Sequence, residues 1–88
     1  MNLPAHHDRR RWKRNWLNAS IRLLTPATEI HGFGITVSEG GMYLFAVANL
    51  PVGSNVKIEF KRPHSQELVR VSATVRNRAV YLYGLEFS

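Results

Sequence analysis

The stretch Asn55 to Lys61, which reads NVKIEFK, decides the fold class of this chain. The apolar residues Val56, Ile58 and Phe60 alternate with polar or charged ones, so one face of the stretch is apolar. A period of two is typical of a half-buried β-strand, because successive side chains of a strand point to opposite faces. The turn-forming residues PVGS at 51–54 come directly before it, so the sequence predicts a strand that follows a tight turn.

Outward from this strand, the chain reads as further short strands joined by turns, without a helical stripe. Gly32 and Gly34 indicate a bulge, a bend or a close backbone approach within the second strand. The pair Asn77-Arg78 is predicted to turn the chain into its last strand. The other five predicted strands cover residues 18–25, 29–37, 42–45, 69–76 and 80–87.

Six strands with one apolar face each predict an all-β fold, a small six-stranded antiparallel β-barrel that is closed or nearly closed. A chain of 88 residues has room for one compact core and no second domain. Because the chain ends at Ser88, just after the last strand, we expect no C-terminal helix. The predicted core contains Val56, Ile58, Phe60, Val69, Val71, Val75 and Phe87.

Positive charge is concentrated at the N-terminal end. Residues 1–14 contain five Arg or Lys and one Asp, a net charge of +4, whereas residues 15–88 contain seven basic and five acidic residues, a net charge of +2. We therefore predict a basic, flexible N-terminal arm over residues 1–14 and a barrel over residues 15–88. A concentrated positive segment favours an anionic partner, but a solvated charge run has the same composition.

Composition also excludes several kinds of protein. The chain has no cysteine, which excludes disulfides, thiolate metal sites and cysteine catalysis. Its longest apolar run is far shorter than the roughly 20 residues of a membrane span, and the N-terminus lacks the apolar region of a signal peptide. We expect a soluble, cytoplasmic protein. No Ser/His/Asp, paired-carboxylate or phosphate-loop pattern is present, and the adjacent pair His6-His7 does not make a metal site, so neither an enzyme nor a metal is predicted.

Two segments do not follow the barrel pattern. In residues 8–14, DRRRWKR, five of seven side chains are cationic. In residues 36–41, TVSEGG, two alternate hydroxyl residues precede two glycines. A glycine turn leaves backbone groups unshielded by Cβ atoms and can approach a ligand closely, but it also serves as an ordinary turn between two strands.

Together these segments resemble the PilZ family of bacterial cyclic di-GMP receptors. The first signature of that family is two arginines, three variable residues and a third arginine, which Arg9, Arg10 and Arg14 match in spacing. The second is Asp or Asn, any residue, Ser, two residues and Gly. Here Ser38 and Gly41 match it, and Thr36 stands in place of the acid or amide. The resemblance continues through MYL at 42–44, PVG at 51–53 and YGLEF at 83–87.

The resemblance implies a cyclic di-GMP-binding receptor domain in second-messenger signalling, with an arginine arm that clamps the nucleotide against the barrel. Arginine suits this ligand because its planar guanidinium can bind phosphate oxygens or the O6/N7 edge of guanine with two hydrogen bonds. No cofactor besides the ligand is implied. The implied ligand-binding residues are Arg9, Arg10, Arg14, Thr36, Ser38 and Gly41.

Individual residues leave alternatives open. The hydroxyl of Thr36 accepts hydrogen bonds less strongly than a carboxylate and reaches less far, so we expect binding in the micromolar range or weaker. Ser38 either contacts the ligand or bonds within its own turn. Trp12 either packs the arm against the barrel or stacks on a base.

Two other functions remain open. One is a degenerate PilZ-like domain that binds no nucleotide and acts as a protein-interaction module, which Thr36 favours. The other is a basic barrel that binds single-stranded nucleic acid through stacking on Tyr43, Tyr81 and Tyr83, and it is the less favoured. A protein effector is expected as a partner. An exposed barrel mouth would favour a homodimer.

Overall fold

The computed structural model describes residues 14–62 and 64–88. All strand pairs are antiparallel, and the strands close into a barrel in the order β1-β2-β3-β6-β5-β4. The predicted six-stranded antiparallel barrel is therefore confirmed, and two of its strands have the predicted bounds. The strands are β1 (Asn15–Leu24), β2 (Glu29–Val37), β3 (Gly41–Phe45), β4 (Asn55–Lys61), β5 (Leu68–Ala79) and β6 (Leu82–Phe87).

The barrel consists of two three-stranded meanders, β1-β2-β3 and β4-β5-β6. Within each meander, strands that follow one another in the chain pair with each other. The meanders meet at two seams, where β3 pairs with β6 and β1 pairs with β4. Closure at both seams brings residues that are distant in the chain together on one surface.

Inward side chains of all six strands fill the barrel. Val56, Ile58, Phe60 and Val75 are buried, as predicted. The other three predicted core residues are only partly buried and pack against this core. The remaining buried hydrophobic residues of the strands are Ile21, Leu23, Val37, Met42, Leu44, Ala73, Tyr83 and Leu85.

Tyr83 is one of the largest fully buried side chains. Its hydroxyl donates to the carbonyl oxygen of Ala48 and accepts from the amide of Leu50, 3.1 Å away. Both polar capacities of the hydroxyl are therefore used inside the protein, as burial requires. Tyr83 holds the connection between the two meanders against the core, and it cannot serve as an exposed stacking platform.

The last hairpin differs from the prediction. Asn77 and Arg78 lie within β5, opposite Gly84 and Tyr83, so the turn predicted there is wrong. The pairing shifts at a β-bulge between Val75 and Asn77 and then continues, so this polar pair lies inside the strand and does not end it. The chain turns two residues later, at residues 80–81, a Val-Tyr pair whose side chains carry no turn signal.

β1 begins three residues earlier than predicted. Its pairing with β2 shifts between Trp16 and Ala19, and Asn18 lies there with φ 48°, a conformation that Asn adopts more readily than most side chains. This bulge lies just before the alternating residues Ala19, Ile21 and Leu23 from which the first strand was predicted, and the strand extends past it to Asn15. A second shift, between Gly34 and Thr36, confirms the irregularity predicted near the glycines of β2.

Most of the predicted arm lies outside the described residues. The roles predicted for Arg9, Arg10 and Trp12 therefore remain predictions. Arg14 is described and lies exposed directly before β1. Among residues 14–62 and 64–88, no helix has the length and apolarity needed to cross a membrane.

Candidate functional site

One cleft gathers residues of both sequence motifs on the outer surface of β3, β6 and β5. Its volume is about 270 Å³, near the lower end of the roughly 300–1,000 Å³ typical of small-molecule sites. The motif residues in its wall are Arg14, Ser38 and Gly41. The other residues that line it are Gly40, Met42, Tyr43, Arg76, Asn77, Gly84, Leu85 and Glu86.

Strand pairing brings the two motifs together. Trp16 of β1 lies opposite Thr36 of β2, so the residues just before β1 reach the end of β2 where the second motif begins. There Nη1 of Arg14 lies 3.4 Å from Oγ1 of Thr36, a long hydrogen bond between exposed groups. Thr36 itself lies beside the cleft and not in its wall. Among the described residues, Arg14 bonds this neutral hydroxyl and no carboxylate.

The side chain of Ser38 bonds within its own turn. Its Oγ accepts a hydrogen bond from the amide of Gly40 at 3.2 Å, and its amide donates to the carbonyl oxygen of Gly41 at 2.9 Å. This is the second of the two roles that the sequence left open for Ser38. Since Ser38 also lines the cleft, its fixed hydroxyl and the turn backbone form one wall of the site.

Gly41 is required by the barrel itself. A Cβ atom built on Gly41 would lie 2.1 Å from the carbonyl oxygen of Leu85, on the paired strand β6. No real side chain fits there, because the obstacle is backbone held by the β3–β6 pairing. The motif glycine thus permits the close approach of two strands at the floor of the cleft, and its predicted contact with a ligand remains a prediction.

The opposite wall comes from β5 and β6, and sequence reasoning did not assign it to the site. Arg76 donates from Nε to Oε1 of Glu86 at 2.5 Å, so these two charges offset each other locally. The side-chain amide of Asn77 lies over Gly84. A Cβ atom added to Gly84 would lie 2.5 Å from Oδ1 of Asn77. Gly84 therefore leaves the space that the Asn77 side chain occupies in the cleft. The YGLEF segment, quoted for its family resemblance, was the available signal for this wall.

A separate ionic cluster lies at the β1–β4 seam. Glu59 is only 5% exposed and accepts hydrogen bonds from Nε of Arg22 at 2.9 Å and Nε of Arg70 at 3.0 Å. These donors, Arg22 more than Arg70, lower the pKa of the Glu59 carboxyl, and they outweigh the opposing effect of burial. Arg22 also pairs with Glu29 at 2.8 Å. The cluster ties β1, β4 and β5 together away from the motif residues.

A second cleft of about 490 Å³ lies near the ends of β1, β4 and β5, and it contains none of the predicted site residues. Within residues 14–62 and 64–88, no group of three or more His, Cys, Asp or Glu side chains is placed to hold a metal ion. The cleft that joins the two motifs is therefore the candidate site.

Comparison with known proteins identifies the fold and the family. The model of the PilZ domain family matches residues 8–88. Among solved structures, the chain is similar to the Bacillus subtilis inhibitor of motility, MotI/DgrA, with a TM-score of 0.77 at 19% sequence identity. The match covers 92% of this chain and 43% of that one, so the chain spans less than half the length of this structural relative. A comparison with curated proteins found no significant match.

Proposed function

Because the chain belongs to the PilZ domain family, we propose that it is a receptor domain for cyclic di-GMP, and that the nucleotide binds in the cleft between Arg14 and the turn at residues 38–41. The observation that carries this proposal is that Arg14 of the first family motif and Ser38 and Gly41 of the second line one cleft, although Arg14 and Gly41 are 27 positions apart in the sequence. Domains of this family act as receptors or effectors and not as enzymes.

The charges of the cleft favour an anionic ligand. The charges of Arg76 and Glu86 offset each other. The described wall therefore has a net charge of +1, which Arg14 supplies. Among residues 14–62 and 64–88, the Arg14 guanidinium bonds a neutral hydroxyl and no carboxylate, so within this part of the chain it can turn to a phosphate oxygen or to the O6/N7 edge of guanine without breaking an ion pair. Arg9 and Arg10, outside the described residues, are proposed to supply the further positive charge that two phosphodiesters need.

The second motif is proposed to contact a guanine of the ligand. The turn at residues 38–41 presents backbone groups and the Ser38 hydroxyl at the cleft wall, and Thr36 supplies a hydroxyl beside it. Because a hydroxyl replaces the family's acid or amide, we propose micromolar or weaker affinity. A nucleotide messenger of this kind acts inside the cell, so we propose a cytoplasmic domain that passes the bound state to an effector protein.

Substitution of Arg14 tests the proposal. Arg14→Ala is expected to weaken cyclic di-GMP binding by about 1.5–3 kcal/mol, the range for a hydrogen bond to a charged group, or about 10- to 150-fold in Kd. The fold should be unchanged, because Arg14 is exposed and lies outside the core. Isothermal titration at one salt concentration measures the effect.

Arg62→Ala is the matched control. Arg62 is also an exposed arginine, 60% accessible, but it pairs with Glu67 between β4 and β5, away from the cleft. Its loss removes the same charge and should change the Kd much less, and less still at high salt. Equal weakening by both variants would show that only net charge matters. A folded wild-type protein that binds no cyclic di-GMP would overturn the proposal and favour the protein-interaction module.

A further inference from the structure

A patch of exposed apolar side chains covers the opposite end of β3 from the cleft. Of the nine large hydrophobic residues exposed in the described part of the chain, six belong to this patch. None of the six is charged. The patch consists of Phe33 on β2, Phe45 on β3, Val47 after β3, Val80 and Tyr81 in the last hairpin turn, and Leu82 on β6.

Strand pairing and the last hairpin turn bring five of the six residues together, and Val47 follows two residues after Phe45. Phe45 lies opposite Phe33 on one side and Leu82 on the other, so these three side chains form a row across three strands. The ring of Tyr81 meets that of Phe45 edge to face, with centroids 6.4 Å apart and an interplanar angle of 88°. The carbonyl oxygen of Tyr81 also accepts from the amide of Ala46 at 3.0 Å, which fixes the hairpin turn beside the end of β3.

Val80 has a backbone conformation that valine disfavours. It has φ 58° and is 75% exposed. Two-residue hairpin loops favour Gly, Asn or Asp at positions with positive φ, and a β-branched residue is strained there. Neither the local conformation nor the core explains a valine at this position. Contact of its side chain with another apolar surface would account for it.

The patch is held in place before any partner arrives. Arg78 donates from Nε to the carbonyl oxygen of Val80 at 2.7 Å and from Nη1 to Oδ1 of Asn49 at 2.5 Å. Its guanidinium lies 5.1 Å from the centre of the Tyr83 ring. Arg78 thus fixes the hairpin turn and the loop after β3, and its guanidinium keeps its charge beside Val80. A fixed patch loses little freedom when it is covered.

We propose that this patch is the interface of a homodimer in which a second copy of the chain covers it. With roughly 200 Å² for a whole aromatic side chain, the exposed fractions amount to about 500 Å² per copy, near the largest patch of an ordinary monomer. Two such patches bury about 1,000 Å², the lower limit for a specific interface. An uncharged patch of mixed aromatic and aliphatic residues is complementary to itself across a twofold axis.

The position of the patch reduces charge repulsion between copies. Gly41 in the cleft and Phe45 in the patch are separated by four steps of β3, about 14 Å at 3.4 Å per residue. This exceeds the Debye length of about 8 Å at physiological ionic strength, so Arg14 and Arg76 repel their counterparts weakly. The dimer is expected to be weak and to strengthen as salt is added, unlike an association held by ion pairs.

Val80→Asn separates association from folding. Asparagine tolerates positive φ, so the substitution should leave the monomer at least as thermostable as wild type while it removes the most exposed apolar side chain of the patch. Leu68→Asn is the matched control, because Leu68 is 58% exposed at the other end of β5 from the turn. Sedimentation equilibrium of all three 88-residue chains, with and without added salt, measures association.

We expect wild type and Leu68→Asn to dimerise with the same Kd, and Val80→Asn to dimerise at least tenfold more weakly. A strictly monomeric wild type at about 1 mM would overturn the proposal and leave the patch to another protein or to residues 1–13. Equal association of Val80→Asn and wild type would also overturn it. These outcomes do not depend on nucleotide binding, so they are separate from the test of Arg14.

Discussion

Replacement of Gly41 by alanine shows whether the motif glycine is needed by the barrel in the absence of a ligand. The added Cβ would lie 2.1 Å from the carbonyl oxygen and 3.2 Å from the carbonyl carbon of Leu85. Relief requires β3 and β6 to separate, because both obstacles are backbone atoms of the paired strand. Overpacking costs about 1–3 kcal/mol, and a rigid obstacle favours the upper end, about 3 kcal/mol. For a domain of this size, that lowers Tm by about 12–24 °C.

Thermal denaturation followed by circular dichroism, without nucleotide, measures this effect. Gly53→Ala is the control, because Gly53 has φ 97° and no atom within 4 Å of its added Cβ. That substitution costs only backbone strain, about 1 kcal/mol, or about 4–8 °C in Tm. A Gly41→Ala protein whose Tm lies within about 4 °C of wild type would refute the reasoning. Gly41 would then serve the ligand and not the β3–β6 seam.

Two further predictions concern carboxylates. Thr36→Asp restores the family's acid, and we expect it to tighten cyclic di-GMP binding about tenfold, or about 1.4 kcal/mol, by isothermal titration; an unchanged Kd would mean that residue 36 does not face the ligand. Glu59→Gln should be less stable than wild type to urea at neutral pH. Since folding lowers the pKa of Glu59, its contribution is present above the ordinary carboxyl pKa and lost as pH falls through the lowered value. The difference between the proteins should therefore shrink in acid, and a constant difference would contradict the lowered pKa.

Much of the fold could be predicted because apolar and polar side chains alternate along the regular parts of the strands. β4 shows this best, since Val56, Ile58 and Phe60 all point into the barrel. Prediction failed where a bulge breaks the period, at the start of β1 and near Asn77. The true turn at Val80 could not be predicted, because its residue type contradicts its backbone conformation.

The site was only half predictable, for a different physical reason. Motif spacing indicated Arg14, Ser38 and Gly41. These residues lie near one another, in the first meander or directly before it. The opposite wall depends on the β3–β6 pairing, a contact between distant segments that side-chain alternation does not reveal; only the family resemblance of YGLEF at 83–87 indicated its residues. The steric demand on Gly41 has the same origin, since the obstructing carbonyl belongs to Leu85.

The two-meander construction of the barrel determines when the cleft can form during synthesis. Ser38 and Gly41 come from the first meander, whereas Asn77 and Glu86 come from the second, so neither half contains the cleft. Pairings between such distant segments form slowly, because the chain between them must first lose its freedom. A nascent chain is synthesised from its N-terminus, so β6 is the last of the six barrel strands to leave the ribosome. The proposed nucleotide site is therefore expected to form only after synthesis of β6, when the second meander docks on the first.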